Sequence, residues 1–416
     1  MEGKLATLEE DILKQLIERS EEFKIDLLRV DEHEFQRKID LAIKTILRTN
    51  KITLNHREHE VLHGEIISCL LGLGPLDKLL KDQDITEIMV NGPKQVYIER
   101  NGNVEPVDTT FKDNEHLMYF IDKIISPQGR RLTELEPYVD ARLSDGSRVN
   151  IVRSPVSSIG PILTIRKYSH RVLALEDLVK LGTLDYPVAE FLKACVISSM
   201  NLLICGGAGS GKTTLLNALV SLVPDKERII TIEDTRELQI NRKHWVPMET
   251  RPANIEGSGE IDIRDLLRNA LHMRPDRIIV GEVRSSEVLD MIQAMNTGHE
   301  GSMTTLHANS PMDALDRLEV LSLMSGVNIS SEVAMRQIIS ALDLIIHIER
   351  LPGGSRKIMR ISELIKAKEY ILEDIFVLAE DNSGEEKLRF TGKTPKLYQK
   401  LKKKANYITA EFEQGN

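Results

Sequence analysis

Apolar side chains recur at helical spacing over residues 5–70: Leu5, Leu8, Ile12 and Leu16, then Phe35, Ile39, Ile43 and Ile46, then Val61, Leu62, Ile66 and Leu70. Steps of three and four gather each set on one face of a helix. Charged residues crowd around each stripe, which reads as the solvated side of a packed three-helix module and not as a membrane or partner helix. Pro75 is the first proline in the chain, and it closes this module.

Beyond Pro75 the period changes from helical to alternating. Ile88 and Val90, then Val96 and Ile98, alternate with polar residues, and Asn91-Gly92, Asn101-Gly102 and Asp145-Gly146 are hairpin signals. In the run RVNIV, Val149 and Ile151 point one way and Arg148, Asn150 and Val152 the other; in ILTIRKY, Arg166 lies opposite Leu163 and Ile165. A basic connection through His170 and Arg171 follows, so a boundary is expected near residue 172.

From Leu175 the chain alternates strand and helix: LLIC (202–205), a helix from about Thr213, RIITIE (228–233), a helix around 262–272, and RIIV (277–280). MTTLHA (303–308) and LIIHIE (344–349) are further strands, and the pattern as a whole predicts a mostly parallel sheet covered by helices. The expected organisation is α/β with three parts: a helical N-terminal bundle (1–75), a small α+β domain (76–172), and a parallel α/β domain with a C-terminal extension (173–416). The last segment has acids at Glu380, Asp381, Glu385 and Glu386, then Lys393, Lys396, Lys400, Lys402, Lys403 and Lys404. It reads as a solvated, loosely ordered basic tail.

Composition narrows the function classes. The chain has 416 residues, 41% hydrophobic and only 4% aromatic, so its core is aliphatic. Its 55 Lys+Arg against 64 Asp+Glu lack the basic surplus of a protein that lives on nucleic acid. The N-terminus carries acids where a signal peptide needs a basic end, and no apolar run has the length of a membrane span, so a cytoplasmic protein is expected. Cys69, Cys195 and Cys205 are odd in number and form no CxxC pair, which disfavours a disulfide framework or a structural zinc.

The decisive chemistry is Gly206-Gly207-Ala208-Gly209-Ser210-Gly211-Lys212-Thr213, followed by Thr214. This is a complete GxxxxGK[ST] placed after an apolar strand and before a helix, the context that a phosphate-binding loop requires. Its backbone N–H groups and the helix N-terminus face an anion, Lys212 serves the β and γ phosphates, and Thr213 offers a hydroxyl to Mg²⁺. Two acidic strand ends qualify for the rest of hydrolysis. Glu282 is the candidate for polarising water, and Glu233 supports Mg²⁺ or its waters. No Asn-Lys-x-Asp guanine reader occurs, which favours ATP over GTP. His299 and His307 flank Gly301 and a strand, an arrangement suited to reporting phosphate occupancy.

Taken in order, GGAGSGKTT, RIITIEDTREL, MRPDRIIVGEVR and TGHEGSMTTLHAN resemble the Walker A, Asp box, atypical Walker B and His box of the type II/type IV secretion traffic ATPases. DARLSDGSRVNIVRSPVSSIGPILTIRKY and LDMIQAMNTGHEGS look like the tight-adherence (Flp) pilus assembly branch, the CpaF/TadA type. The resemblance implies an N-terminal domain above a RecA-like ATPase domain, a homohexameric ring, and ATP-driven motion against an inner-membrane platform protein. Membrane contact would come only through partners, at the inner face of the cytoplasmic membrane, with no nucleic acid involved. It also implies that Lys212 and Thr213 meet phosphate and Mg²⁺, that Glu233 is the Asp-box acid, Glu282 the catalytic glutamate and His307 the His-box histidine. Arg148 and Arg166 match N-terminal-domain arginines that approach the γ phosphate. His272 stands where this branch generally has Arg. The reading is pilus assembly or protein secretion through a related machine, and a conjugation-type secretion ATPase or an archaellum motor, which shares all four boxes, stays open beside it. A RecA-like nucleic-acid motor fits the P-loop but not the acidic charge balance.

Overall fold

The computed structural model describes residues 32–70, 72–100, 102–168, 172–251, 253, 258–365, 371–380 and 386–409, with Leu8, Asp11, Ile12, Gln15, Leu16 and Phe412 as single positions. Leu5, Asn101, His170, Arg171, Asp381 and Glu385, and the side chains of Phe35 and Cys69, lie outside what is described. The chain forms two compact units, Met1–Tyr168 and Ser169–Asn416.

In the first unit, α1 (Glu32–Thr49) and α2 (His56–Leu70) bury Ile39, Ile43, Ile46, Leu62 and Ile66 against Ile12 and Leu16 of the helical positions near the N-terminus. Asn55 and Glu58 cap α2 reciprocally, each side chain accepting from the other's backbone N–H, at 2.9 Å in both directions. Val61 departs from the expected stripe and is exposed, because Leu62 takes the inward position beside it.

The rest of this unit is an antiparallel sheet in the order β3-β2-β1-β6-β5-β4, made of β1 (Ile85–Asn91), β2 (Val96–Arg100), β3 (Asn103–Val107), β4 (Tyr138–Arg142), β5 (Arg148–Val152) and β6 (Ile162–Arg166). A short helix, α3 (Asp77–Lys81), leads into it, and α4 (Asn114–Ile125), capped by Asp113, lays Leu117, Phe120, Ile121 and Ile124 into the same core as Ile88, Val90, Val149, Ile151, Leu163 and Ile165. Gly92, Gly102 and Gly146 turn the three hairpins with positive φ, which explains the Asn-Gly and Asp-Gly signals.

The second unit opens with α5 (Leu175–Lys180) and α6 (Tyr186–Ile197). Its sheet runs β15-β14-β13-β12-β7-β11-β10-β8-β9, built from β7 (Leu202–Gly206), β8 (Ile229–Glu233), β9 (Trp245–Glu249), β10 (Arg277–Val280), β11 (Met303–His307), β12 (Leu344–Arg350), β13 (Arg356–Ile365), β14 (Ile371–Glu380) and β15 (Glu386–Phe390). Strands β7 to β12 pair in parallel, and β13 to β15 extend the edge as an antiparallel meander. Parallel strands covered on both faces must be apolar on both. Accordingly Leu202 and Ile204 enter one core and Leu203 and Cys205 the other. The covering helices include α7 (Lys212–Val220), α8 (Ile263–Leu271), α9 (Glu287–Asn296), α10 (Pro311–Leu323) and α11 (Ser331–Ala341). Because the chain leaves β7 towards β8 on one side and later returns to β12 on the other, β7 is the switch point of the sheet, where α/β folds bind ligands at the carboxyl ends of strands.

The C-terminal segment corrects the expectation of a loosely ordered tail. The α/β sheet continues well past residue 350 through β13, β14 and β15, and α12 (Tyr398–Ala405) buries Tyr398 and Leu401 beside Phe191, Phe376 and Phe412. Glu363 accepts from the backbone N–H groups of Lys396 and Leu397, both at 2.8 Å, and docks the start of that helix. Its lysines occupy the outer face, where charge had masked the apolar positions.

Candidate active site

The P-loop leaves β7 at its carboxyl end. Gly206 has no room for a Cβ because the carbonyl of Ile348 and the hydroxyl of Ser210 press against it, and Gly209 (φ 65°) and Gly211 (φ 97°) take left-handed conformations. Gly207, Ala208 and Gly209 are exposed at the tip; Thr213 is half-buried and Thr214 exposed on the first turn of α7. Lys212 is 7% exposed, and its Nζ donates to the carbonyls of Gly206 (3.0 Å) and Gly207 (2.8 Å).

Four segments distant in sequence meet at this edge of the sheet. Lys212 Nζ lies 3.4 Å from His307 Nδ1 at the end of β11. His307 Nε2 in turn lies 2.9 Å from Glu282 Oε1 in the turn after β10. Arg284 grips Glu282 Oε2 through Nε (2.9 Å) and a terminal nitrogen (2.5 Å), and reaches Asp234 Oδ2 after β8 at 3.3 Å. The approach of His307 to Glu282 has ion-pair length but not hydrogen-bond alignment, and Glu282 Oε1 has no hydrogen-bond partner. Burial keeps His307 below its ordinary value; Glu282 opposes this, while Lys212, Arg284 and Arg317 reinforce it.

The turn that carries Glu282 is held at several points. Gly281 N donates to Ile232 O (2.9 Å), Val283 N to Thr305 O (3.0 Å), and the Thr305 hydroxyl to Gly281 O (2.8 Å). The buried Glu287 carboxylate accepts from the N–H groups of Arg284 (2.5 Å) and Ser285 (2.9 Å). Gly281 has a steric reason: a Cβ there would lie 2.9 Å from Glu233 Cγ.

Glu233 itself is 3% exposed. Its Oε1 accepts from the N–H groups of Glu237 (2.9 Å) and Leu238 (3.0 Å), while Oε2 has no hydrogen-bond partner. Burial pushes this carboxyl up to about 7, against those two backbone bonds, and the charges of Glu237 and Glu249 add to the rise. Cys205, one residue before the loop, is pushed up to about 12 by burial and is inert packing.

The other predicted arginines belong to the first unit. Arg148 on β5 and Arg166 on β6 are direct cross-strand partners, and Arg142 on β4 is the partner of Arg148 on its other side. Cross-strand partners share a face, so the three guanidinium-bearing residues form a row. Arg166 Nε is 3.9 Å from Glu87 at the end of that row. His299 bonds through Nδ1 to the carbonyl of Ala294 (3.2 Å) and not to the network around His307. Sequence reasoning missed Arg284, although the run Gly281-Glu282-Val283-Arg284 puts an arginine two residues from the candidate carboxylate.

A switch-point P-loop with a lysine, two acidic strand ends and a histidine converging on it defines a P-loop nucleotide-binding protein with a RecA-like core. The family described as Type II/IV secretion system protein matches residues 70–389, and the chain belongs to that family. It is 35% identical over 305 residues, 72% of this chain and 86% of the relative, to a protein of Mycobacterium tuberculosis provisionally named for conjugal transfer. It is 31% identical over 336 residues to the type IV secretion system protein VirB11 of Bartonella henselae, covering 72% of this chain and 94% of that one. Among solved structures, the pilus retraction motor PilT with bound ADP superposes with a TM-score of 0.50 at 21% identity, over 71% of this chain and 81% of PilT, a likeness of fold. No helix among the described residues is long and apolar enough to cross a membrane.

Proposed function

We propose that the protein is an ATP-hydrolysing motor that powers assembly of a pilus of the tight-adherence type. The observation that carries this reading is the continuous path from Lys212 through His307, Glu282 and Arg284 to Asp234, which joins the P-loop to three strand ends. Lys212 donates to two carbonyls of its own loop, and a polyphosphate is a stronger acceptor than either. Redirecting Lys212 changes what His307 faces, and so what Glu282 faces. Phosphate occupancy is thereby reported to the strand ends.

In this reading Gly206, Gly207, Ala208, Gly209, Ser210, Gly211 and Thr214 with Lys212 and Thr213 cradle the phosphates, and Glu282 polarises the attacking water. The acceptors that these strand ends and the first turn of α7 supply are oxygens: the Thr213 hydroxyl, Glu233 Oε2 without a partner, and the carboxylate of Glu282. A hard, oxygen-seeking cation fits that set, and Mg²⁺ would be held by Thr213 and, directly or through water, Glu233. When bound, Mg²⁺ neutralises charge on the transferred phosphoryl group. Arg148 and Arg166 would meet the γ phosphate from the first unit, a role that the row of arginines on one sheet face supports. The ring is a homohexamer in the cytoplasm, peripheral at the inner membrane through a platform protein, without nucleic acid.

A second reading, a conjugation-type secretion ATPase, is favoured by the Mycobacterium tuberculosis relative named for conjugal transfer. The two are separated by placing Lys212→Ala in the chromosome of the host. Pilus assembly predicts loss of surface fibres in electron micrographs with plasmid transfer intact. Fibres retained and transfer lost would replace it with the second reading.

A further inference from the structure

The β12–β13 hairpin projects beyond the end of the strand that carries the P-loop. Strand β12 pairs in parallel with β7 from Leu344 opposite Leu202 to His347 opposite Cys205, and then continues to Arg350. A register shift against β13 falls between His347 and Ile348, where the Ile348 carbonyl presses on Gly206. Leu351 N donates to Ser355 O (2.8 Å) to close a turn in which Gly353 (φ 93°) and Gly354 (φ 88°) are both left-handed. The turn sets Arg350 directly opposite Arg356.

Both arginines reach the P-loop. Arg356 Nε donates to the carbonyl of Gly209 at 3.1 Å, and its Cδ lies 3.1 Å from where a Cβ on Gly211 would stand. A terminal nitrogen of Arg350 lies 3.5 Å from the corresponding position on Gly209. Like charges opposite each other on a hairpin repel, and a polyanion beside both relieves the repulsion. The two left-handed glycines of the loop have wide conformational freedom when unliganded, and one charge-assisted bond to the carbonyl between them restricts it.

We propose that this hairpin is a further part of the nucleotide site, in which Arg356 is a positioning residue that holds the tip of the P-loop in its phosphate-binding shape and Arg350 adds positive charge beside it. The proposal rests on the P-loop binding a nucleotide. Both side chains are exposed, so their removal leaves the core intact.

The test is calorimetric titration of the full chain with ADP and Mg²⁺, together with the thermal midpoint of the nucleotide-free protein. Arg356→Ala is expected to weaken ADP binding roughly tenfold, the scale of one charge-assisted hydrogen bond, with the midpoint unchanged. Arg356→Lys, which can still donate to Gly209, recovers part of the loss, and Arg350→Ala loses less than Arg356→Ala. Wild-type affinity in Arg356→Ala overturns the proposal, as does an affinity loss matched by a lowered midpoint, which is a structural effect. Lys212→Ala serves as the control. If it loses affinity while Arg356→Ala keeps it, the hairpin role alone fails; if Lys212→Ala binds ADP normally, the nucleotide reading itself fails.

Discussion

Replacing Glu233 with glutamine changes how stability depends on pH, and the size of the change follows from the burial of this carboxyl. An unfolded chain ionises the group at its ordinary value of 4.5, whereas the native protein holds the proton up to about 7. Between those values the native state binds more protons than the unfolded state, so stability falls as pH rises. The contribution is fully present below pH 4.5 and is lost as pH climbs through 7. At about 1.4 kcal/mol per tenfold change, the loss between pH 5 and pH 8 is about 2 to 3 kcal/mol. Glu233→Gln cannot ionise and escapes that loss. Its amide N–H₂, facing the spot where Oε2 has no partner, adds a cost that is the same at both pH values and cancels in the comparison. The assay is urea unfolding of the nucleotide-free protein followed by fluorescence of Trp245, the sole tryptophan, on the strand that pairs with the one carrying Glu233. Wild type should lose about 2 to 3 kcal/mol more than the variant on going from pH 5 to pH 8. An equal pH dependence in the two proteins would refute the buried, proton-holding Glu233.

Glu282→Gln should keep ADP affinity and lower kcat by about 10² to 10⁴, because the amide keeps the shape but cannot polarise water; wild-type turnover would move that role elsewhere. The pair Arg148→Ala and Arg166→Ala should lower kcat by about 10³ or more if these arginines act on the γ phosphate, and steady-state phosphate release checks it. Full turnover would leave them as a structural row on their sheet. Arg277 is wholly buried, ion-paired to Glu227 at 2.6 Å and bonded to the carbonyls of Val196 and Gly301, so Arg277→Ala should destabilise the second unit by about 3 to 5 kcal/mol in the Trp245 assay. A loss under about 1 kcal/mol would mean that water or rearrangement replaces it.

Sequence reading succeeds here where structure is local. The strands LLIC, RIIV and LIIHIE are buried on both faces and therefore continuously apolar, and the Asn-Gly and Asp-Gly pairs mark hairpins because only such residues tolerate the turn. The alternation around Arg148 and Arg166 is legible for the same reason, with Val149, Ile151, Leu163 and Ile165 buried between them. Among the described residues helical spacing misassigns the rim of a stripe, as at Val61. What is not legible is tertiary. The grip of Arg284 on Glu282 and Asp234 depends on how β8 and β10 are aligned, and the reach of Arg356 to Gly209 depends on a hairpin 147 residues away in sequence. The C-terminal helix hides two core residues, Tyr398 and Leu401, among lysines, so its charge is visible in the sequence and its docking is not.

The central claim is that this P-loop turns over ATP, and phosphate release by the purified chain with ATP and Mg²⁺, beside Lys212→Ala, tests it most directly. Wild type should release phosphate steadily, and the variant, with its Trp245 unfolding transition retained, should release none above background because it lacks the P-loop cation for the β and γ phosphates. Equal phosphate release by the two proteins would contradict the assignment of the site.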